Sequence, residues 1–395
     1  MIINLSGCKF SEEDIIIVDF SCEYPVLDLK LSDIAEISYI PLQGMDSVKL
    51  LSSRTSYENL IYIDDEHIFI GDFAPYKKDG EWHRFNPRYG KLMRFDAGGS
   101  YINTVFKAHN ENESILFGLQ TPYEIDKDKK EVYAFSAYGK FIRKFGYNGE
   151  IIANSGTLSK GYKYAGRFGD TLALFDLHSQ IVLMNGELRD NGETIFLYNT
   201  CTGQFCPYKG LQFARPYGLN DISSSSNGII HTADGIYISS QRSDTVYHIN
   251  RKLEISPKFL SVQQSDDAVN LVYPLVETED YILFCNDQDY NSLRKKRFTN
   301  SNYIYLKKDK QIYQLPCSNH FPEEDEEILW KDEFLLNSRF LTKNSNILAS
   351  VLPIPFLKEN YNILPDELKC IADASSEDDS PVLMVMRFGK YSVDF

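Results

Sequence analysis

The chain has 395 residues, 43% of them hydrophobic and 25% charged, with a formal net charge of −15 and a pI near 5.0. So acidic a surface repels a polyanion such as DNA or RNA, and no run of about 18 apolar residues is present to cross a membrane as a helix. The 26 Tyr and 25 Phe against 2 Trp favour pleated, half-buried surfaces, which points to sheet.

The N-terminal stretch Leu5-Ser6-Gly7-Cys8 is similar to a bacterial lipobox, in which the cysteine becomes the lipidated first residue. The seven residues before it are too few for a secretory signal. Two readings stand: a lipoprotein start whose upstream part is missing, with Cys8 as the attachment point, or a chance match. Residues 1–27 are expected to be a leader and lead-in strand, and residues 28–395 the folded domain. Ile15-Ile-Ile-Val18 and Ile37-Ser-Tyr-Ile-Pro-Leu42 read as strands, with a short helix over Ser32 to Ile37 between them.

Downstream, a strand, a polar turn and another strand recur. Lys91-Leu-Met-Arg-Phe95 leads into Asp96-Ala-Gly98-Gly99, Phe141-Ile-Arg-Lys-Phe145 into Gly146-Tyr-Asn148-Gly149, Ile195-Phe-Leu197 into Asn199-Thr-Cys-Thr-Gly203, and Val246-Tyr-His-Ile249 into Asn250-Arg-Lys-Leu253. The pivots Phe95, Phe145, Leu197 and Ile249 are 50, 52 and 52 residues apart, and a weaker fifth, Leu315, follows after 66. Two further β-rich runs precede most pivots, for example Leu60–Ile63 with His67–Ile70 and Tyr123–Ile125 with Glu131–Phe135. A unit of three or four strands cannot bury both of its faces alone, whereas radial packing against two copies can. The expected fold is therefore all-β: a six-bladed β-propeller over residues 60–105, 122–153, 165–205, 217–262, 272–316 and 328–388, closed by pairing of N- and C-terminal strands.

The candidate ligand contacts are aromatic and arginine residues on connecting segments. Trp82, Arg84 and Arg88 lie in an insertion of blade one, Tyr162, Tyr164 and Arg167 between blades two and three, and Arg215 and Tyr217 at the entry to blade four. Loops packed on their neighbours are the plain alternative. No nucleophile elbow, P-loop, dinucleotide fingerprint or zincin motif is present. The seven histidines are scattered, so that only a meeting of different blades in the central channel would bring them together. No catalytic set, metal site or cofactor is expected. A turn-spanning Cys201–Cys206 disulfide is open.

Asp28-Leu-Lys-Leu-Ser-Asp-Ile-Ala-Glu-Ile-Ser-Tyr-Ile-Pro-Leu42 resembles the opening of six-bladed β-propeller proteins abundant in Bacteroides and relatives. Asp244-Thr-Val-Tyr-His-Ile249 is similar to a recurrent strand of that family, and Ser380-Pro-Val-Leu-Met-Val385 to its closing strand, with Ser380 in place of the usual Asn. At fold level the family is similar to NHL-repeat propellers, although Asp96-Ala-Gly98 only approximates their turn. The resemblance implies a ring at the cell envelope, often carrying a lipoprotein signal, and brings no catalytic set. The expected function is a non-catalytic binding or scaffold propeller with a protein or glycan ligand, without nucleic acid, touching a membrane only through a lipid anchor. The alternative is a propeller hydrolase or lyase working at a channel mouth.

Overall fold

The structure is a computed structural model describing residues 15–44, 61–72, 76–78, 81–83, 91–107, 123–135, 141–155, 162–176, 195–208, 228–239, 244–262, 270–288, 301–316, 342–376 and 379–389. At the N-terminus, β1 (Ile16–Asp19) and β2 (Ala35–Pro41) flank the helix α1 (Leu31–Ile34). Blade one takes β3 (Ile61–Ile63), β4 (His67–Asp72), a side hairpin of β5 (Tyr76–Lys78) and β6 (Glu81–His83), then β7 (Lys91–Asp96) and β8 (Tyr101–Lys107). Blade two is β9 (Tyr123–Asp126), β10 (Glu131–Phe135), β11 (Ile142–Gly146) and β12 (Ile151–Asn154). Blade three is β13 (Tyr162–Phe168), β14 (Thr171–Asp176), β15 (Ile195–Asn199) and β16 (Phe205–Tyr208). Blade four is β17 (Gly228–His231), β18 (Gly235–Ser239), β19 (Thr245–Asn250) and β20 (Ile255–Val262). Blade five is β21 (Asn270–Glu277), β22 (Tyr281–Gln288), β23 (Asn302–Leu306) and β24 (Gln311–Gln314). Blade six joins β25 (Ile347–Leu352) and β26 (Val382–Phe388) to β2, with α2 (Ile354–Glu359) and α3 (Asp366–Ala374) between its two C-terminal strands.

This is the six-bladed propeller expected from the repeat. Each blade is sandwiched between two others, so its central strands are buried on both faces. Tyr281–Cys285 of β22 and Val382–Met386 of β26 are buried at every position, which is why they read as unbroken apolar runs rather than alternating ones. The apolar clusters accordingly span neighbouring blades. Phe69, Leu92 and Val105 of blade one pack with Tyr123, Val132 and Phe145 of blade two, and Ile61, Met93 and Phe95 pack with Ala349, Leu383 and Val385 of blade six.

Three of the four recurring polar turns share one hydrogen-bonded form, and the fourth closes one residue later, where Gly203 N donates to Asn199 O at 2.9 Å. Gly99 N donates to Asp96 O at 3.1 Å, Gly149 N to Gly146 O at 3.0 Å and Leu253 N to Asn250 O at 2.8 Å. The last residue of each turn is left-handed, with φ of 89° at Gly99, 92° at Gly149 and 65° at Leu253, a conformation that glycine adopts without steric cost and leucine does not.

Ring closure uses the second N-terminal stretch. β2 pairs antiparallel with β26 from Ala35↔Phe388 to Pro41↔Val382. The seam continues outward, where Gln43 N donates to Gly99 O and Tyr101 N to Gln43 O, both at 2.9 Å. It also has an inner catch: Lys343 N donates to Ile61 O at 2.8 Å, and the Asn344 amide bonds both Ile63 N (3.0 Å) and Ile63 O (2.7 Å). The first N-terminal stretch has another place. β1 adds to β20 in parallel as a fifth strand of blade four, Leu27 N then donates to Gln314 O (2.9 Å) on the rim of blade five, and the chain reaches blade six. Residues 16–41 thus form a belt across three blades, in which Val18 of β1 is fully buried.

Two expectations need correction. The fifth pivot is not Leu315, which follows the outermost strand β24; the residue equivalent to Ile249 is Tyr305 on β23, 56 positions later. The last blade also carries helices that the sequence reading did not anticipate, their Ile354, Leu357, Leu364 and Leu368 buried in the largest apolar cluster.

Candidate functional site

The innermost strands β3, β9, β13, β17, β21 and β25 surround the ring axis. They bring together charged residues far apart in the chain. Glu124, between the buried Tyr123 and Ile125 of β9, meets Lys343 of the inner catch at 3.6 Å, with the Lys343 side chain only 2% exposed. The Lys343 ammonium also lies 4.9 Å from the centre of the Tyr123 ring. His231, the half-buried last residue of β17 in blade four, feels the charges of both.

Burial dominates the electrostatics of this group. Desolvation pushes His231 down to about 4; Glu124 pulls it back up and Lys343 reinforces the fall, so the ring is neutral at pH 7. Burial likewise lowers Lys343, opposed by the Glu124 carboxylate. The Tyr123 phenol is pushed well above its ordinary range by burial and then by Glu124, and Tyr62 of β3 rises through burial, Asp64 and Glu124.

The seams between blades hold further compensated charges. Between blades two and three, Arg167 Nη2 lies 2.5 Å from Asp126 Oδ2 and Arg167 Nη1 donates to Ile125 O at 3.3 Å. Lys129 adds a short contact to Asp170. Between blades four and five, Glu277 accepts from Tyr237 Oη at 2.5 Å and from Lys307 Nζ at 2.7 Å. Burial pushes Glu277 up, but these two bonds and the lysine charge outweigh it, and its carboxyl lies below the usual range. Among the described residues no three His, Cys, Asp or Glu side chains are grouped to hold a metal ion. An open groove of about 410 Å³ lies far from this chemistry, between the belt and blade five, lined by Ile16, Ile17, Tyr24, Tyr305 and Ile312 among others.

Of the ligand contacts expected from sequence, Arg167 is the one whose side chain is described, and it spans a blade seam on Asp126. The backbones of Trp82 on β6 and of Tyr162 and Tyr164 on β13 are placed; Cys8, Arg84, Arg88, Arg215 and Tyr217 lie outside the described residues. Cys201 and Cys206 are both free thiols. Sequence reasoning missed Glu124 and Lys343, and left His231 among scattered histidines. The one local signal was a charge, Glu124, set between two residues of an apolar strand.

No family model matches the sequence, and no curated protein matches it. Solved structures do. A candidate exported protein of Bacteroides fragilis superposes with a TM-score of 0.59 at 15% identity, covering 95% of this chain and 100% of that one. A member of the DUF4221 family from Bacteroides vulgatus gives a TM-score of 0.50 at 10% identity, covering 90% of this chain and 97% of its own. At these identities the likeness is one of fold.

Proposed function

We propose that the chain is a non-catalytic binding or scaffold propeller of the bacterial cell envelope, with a protein or glycan as ligand and Cys8 as its lipid attachment point. The observation that carries this reading is the condition of the channel group. Glu124, on an innermost strand, is held 3.6 Å from Lys343 with its side chain 9% exposed, so its carboxylate is not open to a substrate in the channel. The envelope location draws support from the full-length fold likeness to an exported Bacteroides protein and from Leu5-Ser6-Gly7-Cys8. The NHL-like turn chemistry belongs to the same reading.

A hydrolase or lyase at a channel mouth is the competing reading, and the influence of the Glu124 charge on His231 is the observation in its favour. Screening the purified protein on glycan arrays and against envelope extracts, together with glycosidase and polysaccharide-lyase assays, separates the two. Saturable binding without turnover is the expected result. Turnover abolished by Glu124→Gln, in a protein that still folds, would establish the competitor. Mass analysis of the membrane-extracted N-terminal peptide tests the anchor: an unmodified Cys8 removes it.

A further inference from the structure

We propose that Cys201 and Lys129 form an oxidative cross-link over the seam between blades two and three, a sulfur–nitrogen bond made when a peroxide oxidises the thiol. The two residues stand 72 positions apart in the chain, and Lys129 Nζ lies 3.6 Å from Cys201 Sγ. Lys129 sits in the turn between β9 and β10, Cys201 in the turn between β15 and β16, and Asp170 in the turn between β13 and β14. The strand order brings all three turns to one end of the ring. Asp170 makes a short contact with the same ammonium.

The backbones that carry these groups are fixed. Lys129 N donates to Asp126 Oδ1 at 3.2 Å, and the Asp126 side chain, 1% exposed, is held in turn by Arg167 Nη2 at 2.5 Å. Asn199 Oδ1 accepts from Cys201 N at 3.0 Å and from Thr202 N at 2.8 Å. Thr200 N donates to Asp170 O at 2.7 Å, which ties the turn of the thiol to the turn of the carboxylate. Reacting atoms delivered from such turns need little further ordering. Cys201 is an exposed free thiol, open to a peroxide from solvent. The flexible Lys129 stem lets Nζ advance onto the sulfur once it is oxidised.

The chemistry balances in two steps. Sulfur attacks one peroxide oxygen, the O–O bond breaks, the thiol is oxidised by two electrons to a sulfenic acid, and the other peroxide oxygen leaves as water. Lys129 then releases a proton to solvent and its nitrogen attacks Sγ. The S–O bond breaks as the N–S bond forms, and the departing hydroxide takes a second nitrogen proton and leaves as water. Asp170 first, then Cys201, holds the Lys129 ammonium charged more firmly than in an ordinary lysine, with Asp126 Oδ2 behind it at 3.9 Å. The reaction is therefore best run on the alkaline side.

The test treats the full chain with hydrogen peroxide at about pH 9, blocks the remaining thiols and maps joined peptides by tandem mass spectrometry. The expected product is a peptide pair joined through Lys129 and Cys201, lighter than the sum of its parts by two hydrogens. Dithiothreitol should remove it, and unfolding in urea before oxidation should cut its yield by roughly 10-fold or more. Cys201→Ser and Lys129→Arg should lack it, and Cys206→Ser should keep it; all three positions are exposed, so the variants retain the fold. A Cys201–Cys206 disulfide, a Cys201 sulfinic acid with Lys129 unmodified, or links of equal yield from other lysines would overturn the proposal.

Discussion

Replacing Lys343 by methionine probes the tie at the ring axis most directly. The Lys343 side chain is 2% exposed and its Glu124 partner 9%, so neither charge has water to fall back on. Removing one member of such a pair costs about 3–5 kcal/mol, because the survivor is left buried without a counter-charge. Lys343→Met removes the ammonium that faces the Glu124 carboxylate, and a loss of about 3 kcal/mol or more is expected. Glu124→Gln should cost less. Burial already lowers Lys343, which can escape part of the penalty by releasing its proton. The double variant Glu124→Gln/Lys343→Met removes both charges at similar volume, and much of the loss should return, giving a coupling energy of about 2 kcal/mol.

Urea unfolding followed by both tyrosine fluorescence and far-UV circular dichroism measures the four proteins of this cycle, and agreement of the two probes checks that unfolding is two-state. If the single costs simply add, within about 0.5 kcal/mol, then Glu124 and Lys343 do not hold each other and the proposed role of the channel group collapses.

Three further outcomes follow from other parts of the ring. A Cβ at Gly99 would collide with the Pro41 carbonyl oxygen and sit 2.8 Å from Ile40 Cγ2, at a φ of +89°, so Gly99→Ala should weaken the closing seam by about 2–4 kcal/mol in urea unfolding. Lys130 and Lys310 hold left-handed turn positions, at φ of 53° and 52°, with exposed side chains. Lys130→Gly and Lys310→Gly should each change stability by about +0.5 to +1 kcal/mol, and a loss in both would show that the turns are not strained. Glu277 has a lowered folded pKa, so its contribution is present above the ordinary glutamate range and is lost as the pH falls through the lowered value. Lys307→Met removes the largest lowering cause, and the midpoint of acid unfolding should move to higher pH; an unchanged midpoint on circular dichroism would assign the shift to Tyr237 and the Lys258 charge.

The blades were legible in the sequence because the signals that define them are local. A hairpin turn such as Gly146-Tyr-Asn-Gly149 and an apolar run such as Val382–Met386 report on their own strands, and their spacing reports on the repeat. Closure was legible for a related reason: the two N-terminal stretches read as spare strands without neighbours of their own, although the structure was needed to show that β2, not β1, pairs with β26. What was hidden depends on relations between blades. Arg167 looked like an exposed contact because Gly161-Tyr-Lys-Tyr-Ala-Gly-Arg167 reads as a loop. It lies instead on β13, where its direction is fixed by a blade not yet placed, and there it finds Asp126. The helices of blade six were masked by Pro353, Pro355 and Pro365, which interrupt the 3.6-residue period, although a proline in the first turn is compatible with each helix start.

The channel group is the extreme case. Glu124, His231 and Lys343 belong to three separate units, and none carries a local signature of the others. Only the closed ring brings them to one axis. Wherever inner strands converge in this way, a side chain that reaches the axis must find its counter-charge on another blade or remain unpaired away from water, and the second option is too costly to persist. A lone charge between apolar neighbours on an innermost strand, as in Tyr123-Glu124-Ile125, is therefore itself a prediction. A compensating cation must arrive from elsewhere in the ring, and here it comes from the catch that closes it.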